Sequence, residues 1–202
     1  MAANIPAAPA PAQTDAPAQT DTVYLNFCSP ITQASAQTLM AACSDALRQF
    51  NPQRLYLSFT SNGGEVASGI ALYNFLRGLP VRVITHNIGA IDSIAVVIFL
   101  AGEERYAVPT ATFLFHGVQI TVPQPMNLTI YQLRESVSGL DEDHNRIVHI
   151  VTGRTALSED EVRALFEQGE SKNSTYAVDH QIIAAIQDFN VPQGAPFFSL
   201  NL

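Results

Sequence analysis

Clusters of branched and aromatic residues separated by short polar breaks dominate the first half of the chain, and steps of three and four between apolar positions dominate the second. Val23-Tyr24-Leu25-Asn26-Phe27 and Leu55-Tyr56-Leu57-Ser58-Phe59 have the β-branched and aromatic density of buried strands. Between them Leu39, Cys43, Leu47 and Phe50 fall on one helical face, so residues 34–50 complete a β-α-β unit. After Gly64 a second helix runs through Ile70, Tyr73 and Leu76 and stops near Gly78 and Pro80; Val81-Arg82-Val83-Ile84 is the next strand. Residues 93–100 form an apolar block that reads as a buried helix, and Thr112 to Phe115 as a further strand. This alternation predicts an α/β fold with a parallel sheet.

Beyond Pro125 the pattern changes. Ile130, Leu133, Val137, Leu140, His144, Ile147 and Val151 follow a heptad seam, which predicts one long helix over about 127–151. Residues 130–151 alone would extend about 33 Å, longer than a core of this size needs. The helix is expected to project and pack against another subunit, the alternative being a core helix of the same domain. Ser158-Glu159-Asp160-Glu161 reads as a capping box opening another helix through Val162, Leu165 and Phe166.

Residues 1–22 carry eight Ala and four Pro, with no periodicity and little to bury, and read as a disordered Ala/Pro-rich arm ahead of a single domain over 23–202. The arm has no Lys or Arg and is interrupted by Pro6, Pro9, Pro11 and Pro17, which does not suit a secretory signal. The run Ile94–Ala101 is too short to span a bilayer, so a cytoplasmic protein without membrane contact is expected. A net charge of −8 with Lys172 as the only lysine leaves no basic stripe for phosphates, which excludes nucleic acid as the expected partner. Only 14% of residues are charged, which points to surface covered in an oligomer. Cys28 and Cys43 lack metal-ligand spacing and read as free thiols, and the five histidines show no HExxH pattern, so neither a metal nor another cofactor is expected.

The chemistry gathers in three places. Ser93 opens an apolar helix shortly after Gly89, which suits either an ordinary N-cap or an activated nucleophile. Gly63-Gly64 falls between a strand and a helix, where main-chain N–H groups can face a ligand; the plainer reading is a tight turn. With the N–H of Ile94 it could supply an oxyanion hole. His116 ends a strand-like run, where an imidazole can serve as general base or as a hydrogen-bonded edge residue.

Taken together, residues 55–116 resemble the proteolytic subunit of the Clp protease, a serine peptidase family with a ClpP/crotonase-type fold. The strand-turn motif ending in Gly63-Gly64, the segment Gly89-Ala90-Ile91-Asp92-Ser93, and the strand led by Pro109 and ended by His116 have counterparts in that family, and the Gly64-to-Ser93 gap matches without insertion. Thr152-Gly153 and Tyr176-Ala177-Val178-Asp179 extend the similarity over most of 23–185. The resemblance implies repeated β-α-β units with a protruding helix, the heptad segment taking the place of the ring-stacking handle. It implies a serine endopeptidase hydrolysing peptides or unfolded proteins inside homo-oligomeric rings, with Ser93 as nucleophile, His116 as general base, and Gly64 and Ile94 as oxyanion donors.

The chain departs from that pattern in five respects. Asn62 stands where the family has Pro, Ile91-Asp92 replace small residues before the nucleophile, and Gly117-Val118 replace Gln-Pro after the histidine. Gly169 falls where the orienting Asp is expected, leaving Glu170, and after it Glu167, as the nearest carboxylates. Asp92 adds negative charge beside a developing oxyanion, which implies lowered activity. The Ala/Pro arm replaces the family's ordered axial segment, which argues against an ATPase unfoldase partner and leaves ATP-independent peptide hydrolysis open. Two other functions compete: a catalytically impaired ring subunit with a structural or regulatory role, and a crotonase-type acyl-CoA enzyme, against which the scarcity of Lys and Arg speaks.

Overall fold

The computed structural model describes residues 21–119 and 127–200. The proposed arm therefore lies outside the described residues apart from its last two positions. Those two belong to the folded body: the Asp21 carbonyl accepts from the backbone N–H groups of Gln53 and Arg54, and Thr22 begins the first strand.

In chain order the elements are β1 (Thr22–Cys28), α1 (Gln33–Phe50), β2 (Arg54–Ser61), α2 (Val66–Arg77), β3 (Arg82–Asp92), α3 (Ile94–Phe99), β4 (Glu104–Ala107), β5 (Thr112–Leu114), α4 (Ile130–Arg154), α5 (Glu159–Gln168), β6 (Ser171–Asn173), α6 (Ser174–Asp179), β7 (Ala185–Ile186) and β8 (Phe197–Ser199). The sheet runs β6-β5-β3-β2-β1-β8, with β4 beside β3 and β7 beside β4. Every pairing is parallel except β5 with β6. The predicted parallel α/β core is therefore present.

The third strand is longer than the expected run Val81–Ile84, and the excess is what builds the site. Its first half pairs with β4 from Ile84 to Asn87, and its second half with β5 from Ala90 to Asp92. Side chains hold this fork together. Asn87 donates to the Thr112 carbonyl and accepts from the Gly89 N–H, while Thr60 Oγ1 bonds both the N–H and the C=O of Ala90. A Cβ on Gly89 would lie 2.6 Å from Thr60 Oγ1, so the close approach requires glycine there. Asn87 and Gly89 interrupt the strand pattern, which is why the second half of β3 does not stand out in the sequence.

The helix α3 is the centre of the core: all six of its residues are buried. Gly69 of α2 packs on it so tightly that an added Cβ would meet Ile94 Cγ1 at 2.3 Å. Helix α1 turns Leu39, Cys43 and Ala46 inward, and burial pushes the Cys43 thiol up to about 12, while Cys28 is exposed. His86 is buried and fully bonded, to the Tyr56 hydroxyl through Nδ1 and to the Gln187 carbonyl through Nε2. No cluster of three or more potential metal ligands occurs among the described residues, and no helix among them is long and apolar enough to cross a membrane.

The heptad seam divides along α4. Ile147, Val148 and Val151 enter the core, whereas Ile130, Leu133 and Val137 stand 60%, 48% and 57% exposed. The single seam thus serves the domain's own core at one end and a bare apolar face at the other. The expected capping box of Ser158 with Glu161 forms on α5, and α4 opens with a second one, Thr129 with Gln132, that the sequence reading did not single out.

Candidate active site

The strands β2, β3 and β5 end side by side, and the three sequence features fall at their carboxyl ends, where open parallel sheets place their sites. Ser93 follows β3 directly. Its backbone has φ 59° and ψ −132°, a conformation uncommon for a residue with a side chain. It occupies the N-cap position of α3, yet its hydroxyl makes no capping hydrogen bond. The strained backbone at such a junction exposes the side chain instead of folding it back on the helix. The Ser93 N–H donates to the Leu114 carbonyl at 2.8 Å, tying it to the end of β5, two residues before His116.

The glycine turn lies against the same serine. Gly63 has φ 84°, and a Cβ there would come within 2.7 Å of Ser93 Cβ and 2.8 Å of the Asp92 carbonyl oxygen. Gly64 has φ 149°, and its Cβ would fall 2.1 Å from the Ile31 carbonyl oxygen. The Ile31–Gly64 bridge is made by Ile31 N–H to Gly63 C=O and Glu65 N–H to Ile31 C=O, so the Gly64 N–H lies outside the pair. Ile94 is the first residue of α3, where the backbone N–H has no acceptor within its own helix. A groove of about 500 Å³ lined by Gly64, Glu65, Val118 and Leu140 opens beside this turn, between it and α4.

His116 is half-buried, and its Nδ1 lies 2.8 Å from the Gly117 carbonyl oxygen. Carbonyl oxygens only accept, so the proton resides on Nδ1 and the Nε2 lone pair is available as a base. Among the described residues no hydrogen bond joins Ser93 to His116. Burial pushes the Asp92 carboxyl above its usual range, and the nearby His116 opposes that rise.

Among the described residues no hydrogen bond joins Glu170 to His116, although Ser171 pairs with Leu114 and brings Glu170 to the end of β5. Glu170 follows Gly169, which ends α5 in the left-handed conformation, and its side chain is 68% exposed and bonded to Lys172 at 3.0 Å. The sequence reading also missed the support behind His116. The Val118 N–H donates to His144 Nε2 at 2.8 Å, and the Gly117 N–H to the Phe166 carbonyl at 3.3 Å. A histidine on an otherwise apolar seam was the visible signal for this.

Comparison with known proteins identifies the family. The sequence model of the Clp protease family matches residues 18–189, which is most of the chain. The chain belongs to the Clp protease family. Among curated relatives, the ATP-dependent Clp protease proteolytic subunit 2 of Pseudomonas aeruginosa is 27% identical over 151 residues, covering 72% of this chain and 74% of that protein. The ATP-dependent Clp protease proteolytic subunit 1 of Leifsonia xyli subsp. xyli is 24% identical over 161 residues, covering 77% and 76%. This Clp family member thus carries the expected mixed α/β fold.

Proposed function

We propose that this protein is a serine endopeptidase that hydrolyses peptide bonds within a self-compartmentalised ring of identical subunits in the cytoplasm. The observation that carries the reading is Ser93: a non-glycine residue at φ 59°, uncapped, seated between the end of β3 and a fully buried helix, against a glycine that has no room for a Cβ. A serine that merely capped the helix would not need this strain.

The mechanism follows from the groups present. Ser93 Oγ attacks the scissile carbonyl carbon while its proton passes to His116 Nε2; the C–O bond forms as the carbonyl π pair moves to oxygen. That oxyanion accepts from the Gly64 and Ile94 N–H groups, each worth about 2.7–4 kcal/mol in the transition state. Collapse breaks the C–N bond, and His116 delivers the proton to the leaving amine. Water then repeats the sequence on the acyl-serine. Glu170, the carboxylate that sequence spacing offered as a third member, is engaged with Lys172, so the mechanism rests on two side chains and two main-chain donors. The exposed Ile130, Leu133 and Val137 face of α4 is the surface we assign to ring stacking.

A second reading is a ring subunit of low activity with a structural or regulatory role. It is favoured by the missing Ser93–His116 hydrogen bond and by Asp92 beside the site. Side-by-side peptide turnover by wild type and Ser93→Ala, with fluorophosphonate labelling and native mass determination, separates the two. Turnover and labelling lost in Ser93→Ala support the peptidase; a ring of unchanged mass with neither activity in wild type supports the scaffold.

A further inference from the structure

The imidazole of His116 has a proton to place, and no carboxylate among the described residues hydrogen-bonds to it. What the fold offers is a chain of hydrogen bonds running back from the ring into α4. His116 Nδ1 lies 2.8 Å from the Gly117 carbonyl oxygen. The next amide in the chain, Val118 N–H, donates at 2.8 Å to Nε2 of His144. The peptide carrying both the Gly117 C=O and the Val118 N–H is one planar unit, so an acceptor gripping its N–H fixes the direction of its C=O. Its two ends therefore serve two histidines.

We propose that His144 is a positioning residue for this site, acting through the 117–118 peptide to hold His116 in the tautomer with Nδ1 protonated. The inference rests on the peptidase reading above and adds how its general base is oriented. An N–H only donates, so His144 Nε2 carries a lone pair and the ring keeps its own proton on Nδ1. Its ring is held against Phe166 of α5, with centroids 5.4 Å apart, and the Phe166 carbonyl also takes the Gly117 N–H at 3.3 Å. The loop is thus gripped on successive amides by α4 and α5. The approach is close: a Cβ on Gly117 would lie 3.2 Å from His144 Nε2, and the imidazole would have to give by a few tenths of an ångström. A carbonyl oriented in this way performs the tautomer selection that a carboxylate performs in a Ser-His-Asp triad, without adding a second buried charge.

The test uses full-length protein with ¹⁵N-labelled histidine, in wild type, His144→Leu and His144→Gln. Leu fills the site without an acceptor; Gln restores an acceptor for the Val118 N–H. Imidazole ¹⁵N signals, assigned by substituting each histidine in turn, report the His116 tautomer directly. Wild type is expected to show protonated Nδ1 on His116, His144→Leu a mixture, and His144→Gln the wild-type signal. Ser93 labelling by a fluorophosphonate should slow about 3–10-fold in His144→Leu, the worth of one neutral hydrogen bond, and recover in His144→Gln. A folded His144→Leu protein with an unchanged His116 signal overturns the inference. Failure of wild type to label at Ser93 instead defeats the peptidase reading, and the tautomer signal still decides the role of His144.

Discussion

Replacing Gly64 by Ala tests the turn on which the site is built. The added Cβ would lie 2.1 Å from the Ile31 carbonyl oxygen and 2.9 Å from its carbon, both backbone atoms that cannot rotate away. The residue also sits at φ 149°, which costs an alanine about 1–3 kcal/mol. Relief requires separating the Ile31–Gly64 bridge, whose bonds measure 2.8 and 2.9 Å. Each is worth about 0.5–1.5 kcal/mol, so the total is about 2–6 kcal/mol. At about 2–4 °C per kcal/mol for a domain of this length, Gly64→Ala should melt roughly 4–24 °C below wild type. The matched control is Gly139→Ala, inside α4 with nothing within 4 Å of its Cβ. Helix propensity alone should raise its melting point by about 2–4 °C. Both are read by scanning calorimetry at equal chain concentration, because assembly shifts the apparent melting point. Gly64→Ala melting together with wild type would refute the close approach, and with it the argument that only glycine can carry the Gly64 donor.

Other outcomes follow from the surroundings of the site. Burial raises the Asp92 carboxyl, so the native state holds this proton more tightly than the unfolded chain does; stability due to Asp92 is present at low pH and is lost as pH rises from the ordinary value near 3.8 through the raised one. Asp92→Asn should therefore be the more stable protein at neutral pH, with the difference closing in acid, and a melting-point gap that does not depend on pH would contradict the assignment. Glu170→Gln should leave peptide turnover within about twofold of wild type, because loss of an exposed ion pair is worth little; a large loss would put Glu170 back at His116. Val137→Glu places a charge on the bare face of α4, 57% exposed in the single chain, and should lower the native mass without unfolding the subunit. An unchanged mass would move the stacking surface elsewhere.

The strands Val23–Phe27 and Leu55–Phe59, the helices on Leu39–Cys43 and Ile130–Val151, and the Ser158–Glu161 capping box were all legible in the sequence, because each depends on neighbours only a few residues away. The order Gly64, Ser93, His116 was legible too, as a pattern of residue types, and with it the family. Local pattern could not show that β3 continues to Asp92 or that β4, β6, β7 and β8 exist, since strands of two to four residues acquire their definition from the partners they pair with. Nor could it show how the α4 seam is shared between the core and an open face. The strained backbone of Ser93, the exposure of Glu170 and the grip of His144 on Val118 join or separate residues distant in the chain. Chain spacing limits which groups can meet; only packing determines which hydrogen-bond donor finds which acceptor, and that determines the proton on His116.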